Sequence, residues 1–126
     1  MSGYSAMLKS GKEIYIPKWP INTSVQNLTH VSNAFGTEAV INIATLNIPA
    51  VIVAIMSSTD PRLSTKILMD FVCEARIDSS KILPTNIDSL FGDSLVEVAE
   101  IFAHVLHYQY SDFFESGLVK EVSPSS

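Results

Sequence analysis

The sequence predicts a small α+β domain that is mainly α-helical, with an N-terminal β-hairpin followed by four or five helices. Three observations lead to this fold class. Strand-like alternation opens the chain, apolar residues then recur at helical spacing, and proline or glycine separates the segments. With 126 residues, 47% hydrophobic and 17% charged, the chain is long enough for an independent core. We expect one domain over residues 1–117 and a polar tail over residues 118–126.

Residues 4–9 and 13–18 are expected to pair as the hairpin, because a Ser-Gly turn signal lies between them. Ile14 and Ile16 alternate with their neighbours at the period of a half-buried strand. An isolated hairpin is only marginally stable in water, so this one should pack on helices. Prolines on both sides of Trp19 end the second strand, since proline cannot donate to a strand ladder.

The first helix is predicted to begin at Thr23, because Thr23 and Gln26 have the spacing of a capping box. Gly36 is a natural stop at its end. Its apolar face is expected to consist of Val25, Leu28, Val31 and Phe35.

Residues 39–59 carry no formal charge, and this length could cross a bilayer. Polar residues and Pro49 interrupt the stretch, so a buried helical core is the favoured interpretation and a membrane segment is the alternative. Helices over residues 37–46 and 49–57 are predicted here, the second as a kinked continuation of the first.

The clearest helix should follow Asp60, which suits the N-cap, and Pro61, which suits the first helical position. Residues 78–93 are expected to be mostly loop, with a short turn at residues 87–91. The core-facing residues of the helix that follows Asp60 are predicted to be Leu63, Ile67, Leu68, Phe71, Val72 and Ala75.

The last helix is predicted to run from residue 93 or 94 to about residue 113. Its buried stripe is expected to be Leu95, Val98, Ala99, Phe102, Val105, Leu106 and Tyr110. The other side, with Glu97, Glu100, His104 and His107, is expected to be solvated. A metal site needs three or four ligands, and no further ligand is near in sequence, so neither a metal nor another cofactor is expected.

Catalytic motifs are absent from the sequence, which lacks Gly-x-Ser-x-Gly, His-Glu-x-x-His and a phosphate-binding loop. Cys73, the only cysteine, lies among apolar neighbours and should be an inert buried thiol. The eight lysines and arginines are scattered and the net charge is -5, so a basic stripe for nucleic acid is missing. The sequence therefore favours a protein-binding domain over an enzyme or a nucleic-acid-binding protein.

Aromatic residues crowd the end of the last helix and are the candidate partner-binding residues: Tyr108, Tyr110, Phe113 and Phe114, with Trp19 as a weaker candidate. A helix buries one face, so we expect Tyr110 and Phe113 in the core and Tyr108 and Phe114 outside it. Aromatic side chains outside a small core are typical interface anchors. The alternative is that Phe114 folds back over the hairpin.

Three segments carry a family resemblance: residues 11–16 (GKEIYI), 87–93 (IDSLFGD) and 108–114 (YQYSDFF). With the first helix and the apolar middle, their order resembles the tail assembly chaperones of long-tailed bacteriophages, over roughly residues 4–117. None of these motifs has obligatory chemistry. The resemblance implies a non-structural protein of the host cytoplasm that binds the long, helical tape measure protein and helps recruit tail tube subunits.

Two other functions fit the same sequence. One is a small phage-encoded regulatory or inhibitory module that binds another protein, and the other is a membrane-associated phage protein that uses residues 39–56. The sequence leaves open whether the chain forms a homo-oligomer and whether a longer, frameshifted form exists.

Overall fold

The computed structural model describes residues 3–78, 80–83, 85–92 and 94–115, with all of their side chains except those of 88 and 111–115. The polar tail predicted for residues 118–126 lies outside these ranges. The elements are β1 (Gly3–Met7), β2 (Glu13–Pro17), α1 (Ile21–Phe35), α2 (Thr37–Ile43), α3 (Ile48–Met56), α4 (Pro61–Val72), β3 (Arg76–Ile77), β4 (Ser80–Lys81), α5 (Ile87–Phe91) and α6 (Leu95–Glu115). The α+β, mainly α-helical fold class is confirmed, with six helices in the described ranges rather than four or five.

The hairpin belongs to a four-stranded antiparallel sheet with the order β1-β2-β3-β4. Ile14 and Ile16 are fully buried, as the alternation predicts. Ile14 also lies opposite Ile77 of β3, which places the second hairpin beside the first. The segment 78–93, expected to be mostly loop, contains the strand β4, which was not predicted. A two-residue strand is too short to show an alternating pattern in the sequence.

The start of α1 differs from the prediction. The helix begins after Pro20, no side chain caps it, and Thr23 and Gln26 both lie inside it, so the capping box is wrong. Pro20 has the extended backbone that an N-cap position needs (φ -59°, ψ 156°), which lets the helix begin earlier. On the expected apolar face, Val31 is buried but Val25 is 61% exposed, so only part of that face lies in the core.

Gly36 ends α1, as predicted, and leads directly into α2. Its φ of 91° and ψ of 146° fall in a region that only glycine adopts easily. Its N–H donates to the Ser32 carbonyl, and its own carbonyl accepts from the Val40 N–H. At the next junction the Asn47 side chain accepts from the Ala50 N–H at 3.3 Å and caps α3. The two helices predicted in the uncharged stretch are thus present.

The uncharged stretch is only partly core. Val51 and Ala54 of α3 are buried, whereas Val53 is 60% exposed and Met56 is 79% exposed. The expectation of a buried helix is therefore right for one face of α3 and wrong for the other. Within the described ranges, no helix is long and apolar enough to cross a membrane.

The core forms around α6, which packs against α2, α3, α4, α5 and β2. The start of α4 is as predicted, since the Asp60 side chain accepts from the Leu63 N–H at 3.2 Å. At the centre, the ring of Phe71 lies 5.6 Å from that of Phe102 and 5.2 Å from that of Trp19, measured between centroids. The predicted stripe of α6 is buried apart from its first member.

Leu95 is the exception, at 50% exposed. Two successive steps along an α-helix turn the side chain by about 200°, so Leu95 and Glu97 point in nearly opposite directions. The turn of the first hairpin covers the Glu97 side, as described below, and leaves Leu95 outside the core.

Candidate protein-interaction surfaces

The side of α6 that was expected to be solvated is covered by the first hairpin. Glu97 is 7% exposed and Glu100 is 5% exposed. The Lys12 ammonium donates to Glu97 Oε1 at 3.0 Å, and the backbone N–H of Lys9 donates to Glu100 Oε2 at 3.2 Å. The expectation of a solvated face is wrong for both carboxylates, because the hairpin packs across this part of α6. We call these four residues the hairpin seam.

Electrostatics at the hairpin seam favour the ionised form of Glu97. Hydrogen bonds from Ser10 and Lys12 outweigh the effect of burial and hold the pKa of Glu97 below its ordinary value. Lys12 also donates to the Leu90 carbonyl of α5 at 3.0 Å. One lysine side chain therefore joins the hairpin turn, α5 and the first turns of α6.

The two histidines of α6 are half-buried rather than solvated. His104 Nδ1 lies 3.2 Å from the Tyr4 hydroxyl, and His107 Nδ1 donates to the Ala44 carbonyl at 2.9 Å. Burial, and secondarily the nearby His107, lower the pKa of His104. Across the described ranges, no three His, Cys, Asp or Glu side chains are grouped so that they could hold a metal ion.

Two of the candidate aromatic residues lie in the core. Trp19 is 6% exposed, and its indole N–H donates to Glu74 Oε1 at 3.2 Å. Tyr110 is 4% exposed and donates to the Ser24 carbonyl at 2.7 Å, and its burial raises the pKa of its hydroxyl. The Trp19 side chain thus joins the end of the hairpin to the residues after α4, and the Tyr110 side chain joins α6 to α1.

Tyr108 is half-buried at the edge of α6. Its ring stacks on that of Tyr4 with a centroid distance of 5.2 Å, and the Lys18 ammonium lies 5.1 Å from its centroid. The side chains of Phe113 and Phe114 lie outside those that the structure describes. Of the predicted aromatic cluster, the structure therefore brings Tyr108 near the surface and says nothing of the last two.

Gln109 is a residue whose role the sequence did not indicate. Its side-chain amide accepts from the backbone N–H of Trp19 at 3.1 Å and donates to the backbone carbonyl of Pro17 at 2.8 Å. The backbone carbonyl of Gln109 accepts from the Lys18 ammonium at 3.2 Å. Gln109 satisfies backbone groups at the end of β2, which would otherwise be buried without partners. A glutamine between two tyrosines gives no sequence signal for this.

Cys73 is half-buried rather than buried. Burial, and then the carboxylates of Asp70 and Glu74, raise the pKa of its thiol. The thiol is therefore protonated at neutral pH, which fits the inert role predicted for it.

The surface of α1, α2 and α3 has almost no charged side chains and exposes several apolar ones. Residues 19–59 contain one carboxylate, Glu38, and no lysine or arginine. We call the exposed side of these three helices the uncharged surface. Its exposed large apolar residues are Ile21 (80%), Val25 (61%), Val53 (60%) and Met56 (79%).

An open groove of about 400 Å³ lies on the uncharged surface between the α1–α2 junction and α3. The sequence did not reveal this groove, because the whole uncharged stretch was assigned to the core. The sequence did contain one signal for an exposed apolar face. The α3 segment is apolar on all sides, whereas a helix of a small domain commonly has one face in solvent. Phe35, Glu38, Ala39, Asn42, Val53 and Ala54 are among its lining residues.

Comparison with known proteins adds the family. A family model described as "Phage tail assembly chaperone protein, TAC" matches residues 10–120, from the turn of the first hairpin to beyond the end of α6. No curated protein and no solved structure matches the chain. The match confirms the resemblance that the order of the sequence features indicated. This chain belongs to the phage tail assembly chaperone family.

Proposed function

We propose that the chain acts in the host cytoplasm by binding the phage tape measure protein and keeping its apolar segments soluble during tail assembly. Its family has a role in phage tail assembly. The tape measure protein is long and helical, so before assembly it presents apolar helix faces that would otherwise associate with one another. A chaperone for it needs a surface that accepts such faces.

The observation that carries this proposal is the uncharged surface. Ile21 and Met56, the most exposed large apolar residues in the described ranges, lie on it, and Glu38 is its only formal charge. Exposed apolar area of this kind commonly marks a protein-binding site. Charged residues are depleted from the buried centres of interfaces because their desolvation is costly.

The aromatic end of α6 remains a second predicted contact with the partner. Tyr108 is half-buried and could be covered further by a partner, and we keep Phe114 as its predicted companion. Trp19 and Tyr110 could contribute only indirectly, because their own hydrogen bonds hold them in the core. Burial of one aromatic side chain on a partner would contribute about 1.5–3 kcal/mol.

Co-expression of this chain with the tape measure protein tests the function. We expect the wild type to raise the soluble yield of the tape measure protein and to copurify with it. An unrelated acidic domain of similar size is the control. If the wild type leaves the tape measure protein insoluble and unbound, the proposed function is wrong. A regulatory or inhibitory module that binds another protein then becomes the better assignment.

A double variant tests the aromatic contact separately. Tyr108→Ala with Phe114→Ala should retain the helical circular dichroism of the wild type and lose most of the gain in soluble yield. Tyr15→Ala is the control, since Tyr15 is 37% exposed on the sheet. A double variant that assists the tape measure protein as well as the wild type does would leave the function intact and refute this contact.

A further inference from the structure

We propose that the groove on the uncharged surface holds one helical segment of the partner, with its aliphatic face in the groove and a lysine or arginine beside Glu38. This inference rests on the proposed function, because the partner is taken to be the helical tape measure protein. It names where the partner binds and what chemistry the bound segment must have.

Helices form both walls of the groove. One wall is formed by Ala50, Val53, Ala54 and Ser57 of α3 and its C-terminal end. The other is formed by Phe35, Glu38, Ala39 and Asn42 across the α1–α2 junction. The residues of the first wall follow positions i, i+3, i+4 and i+7, which line up along one side of α3. In the second wall, Glu38 and Ala39 are each within one turn of Asn42 on α2, and Phe35 is added from the end of α1.

Helical walls of this kind suit a helix as occupant. Side chains of a bound helix can enter between the row on α3 and the opposite wall, as in other helix-in-groove complexes. Ala39, Ala50 and Ala54 are small, so the occupant can approach closely, while Phe35 and Val53 provide apolar contact. The groove volume of about 400 Å³ has room for a few aliphatic side chains.

Charge selects among possible helices. Glu38 is the only charged residue among those lining the groove, and it is exposed in the first turn of α2. A cationic side chain on the bound segment would pair with it, whereas an acidic one at the same place would be repelled. With no other charge in the lining, an aliphatic face is buried without desolvating further ions.

The other grooves are less suited to an aliphatic helix. One of about 390 Å³ between α1 and α4 is lined by Asp70 and Glu74, and one of about 300 Å³ on the sheet is lined by Glu13 and Arg76. Covering either would remove two charged groups from water. The groove beside α3 is therefore the site that the composition of the lining favours.

A pair of matched valines tests the site. Val53 and Val96 are the same residue type, both on helices, with exposures of 60% and 52%. Val53 lines the groove, whereas Val96 lies on α6, outside the uncharged surface. Overlapping synthetic peptides covering the tape measure protein would be titrated against the full chain, and the tightest-binding helical peptide used for all variants.

We expect Val53→Lys to weaken binding of that peptide by about tenfold or more, since an aliphatic contact is lost and a charge is buried. Val96→Lys should change the affinity by less than about twofold. Both variants should keep the melting temperature of the wild type within a few degrees, which separates a binding effect from unfolding. Equal binding by the two variants would refute the groove.

Charge reversal gives an independent check. Glu38→Lys should weaken binding of the wild-type peptide, and a peptide in which the basic residue is changed to glutamate should restore it. Loss without restoration would refute the predicted pairing. If the wild-type chain binds none of the peptides and gives no soluble tape measure protein, the proposed function itself fails. If it binds them and the groove variants bind equally well, only the location is wrong.

Discussion

The hairpin seam and the uncharged surface distribute polar and apolar side chains in opposite ways. In the seam, Glu97 and Glu100 are carboxylates that lie almost entirely out of solvent. On the uncharged surface, Ile21 and Met56 are aliphatic side chains that lie about four-fifths in solvent. The first hairpin covers α6 from within the chain, whereas no described element covers the outer side of α3. The comparison suggests that the seam is completed by folding and the uncharged surface by a partner.

The largest expected effect tests whether the two regions share one core. Phe71→Ala should lower the free energy of unfolding by about 3–5 kcal/mol, the usual result of deleting a buried phenylalanine. Phe71 contacts both Trp19, next to the hairpin, and Phe102 of α6. Urea unfolding should therefore show one cooperative transition at lower denaturant concentration.

Val96→Ala is the control for this variant, because Val96 is 52% exposed and should cost less than about 0.5 kcal/mol. Two separate transitions, seen by tryptophan fluorescence and by circular dichroism, would mean that the regions unfold independently.

The next effect concerns the ion pair of the hairpin seam. Lys12→Met should cost about 1–3 kcal/mol, because it leaves the Glu97 carboxylate buried without its cation. The value is below that of a fully buried pair, since the Lys12 side chain is 34% exposed. Adding Glu97→Gln should recover part of the loss, as measured by denaturant unfolding.

Lys9→Met is the matched control within the same turn. Lys9 contacts Glu100 through its backbone N–H, which the substitution keeps, so we expect a change below about 0.5 kcal/mol. Equal losses for Lys9→Met and Lys12→Met would show that the seam does not depend on the Lys12 ion pair.

Acidification should weaken the packing of the first hairpin on α6 in two steps, at His104 and then at Glu97 of the hairpin seam. The folded chain lowers the pKa of His104 from its ordinary value of 6.5, so this contribution is complete above about pH 6.5 and declines as the pH falls. It also lowers the pKa of Glu97 from 4.5, so that contribution is present above about pH 4.5 and is lost as the pH falls through the folded value.

Melting temperature measured between pH 8 and pH 3 checks both steps. His104→Gln should flatten the upper part of the profile, and Glu97→Gln the lower part. A wild type that becomes more stable as the pH falls from 7 to 5 would contradict the sign of the His104 contribution, and one that becomes more stable as the pH falls from 4.5 to 3 would contradict that of Glu97.

The smallest effect concerns an ion pair outside both regions. Lys66 donates to Asp70 at 2.7 Å one turn along α4, but their side chains are 71% and 55% exposed. We expect a coupling below about 0.5 kcal/mol in a double-mutant cycle, decreasing further at high salt. The same cycle on Lys12 and Glu97 should give a larger coupling. Similar coupling energies for the two pairs would show that the ion pair of the hairpin seam is no stronger than an exposed one.

The parts of the fold that follow local rules could be predicted from the sequence. Alternation at Ile14 and Ile16, the cap at Asp60 and the stop at Gly36 each depend on a few neighbouring residues. The capping box at Thr23 failed because Pro20 already supplied a suitable N-cap conformation. The two-residue strands β3 and β4 depend on the first hairpin, which local sequence does not report.

The surfaces were harder to predict, because exposure depends on which elements meet. Charge led us to expect Glu97 and Glu100 outside, yet the hairpin turn covers them. Hydrophobicity led us to expect residues 39–59 inside, yet a single helix layer can bury only one side of α3. In both regions the residue types were informative about local structure and misleading about solvent contact.

The seam also sets an order of events in time. Its contacts join residues about 90 positions apart, Lys9 with Glu100 and Lys12 with Glu97. Closing a loop of that length costs roughly 4 kcal/mol of chain entropy, which is unfavourable until α6 is present to repay it. At the usual rate of synthesis, α6 emerges roughly 5–20 s after the hairpin. The hairpin is therefore made before α6 but reaches its final packing only afterwards, once both sides of this long loop have been made.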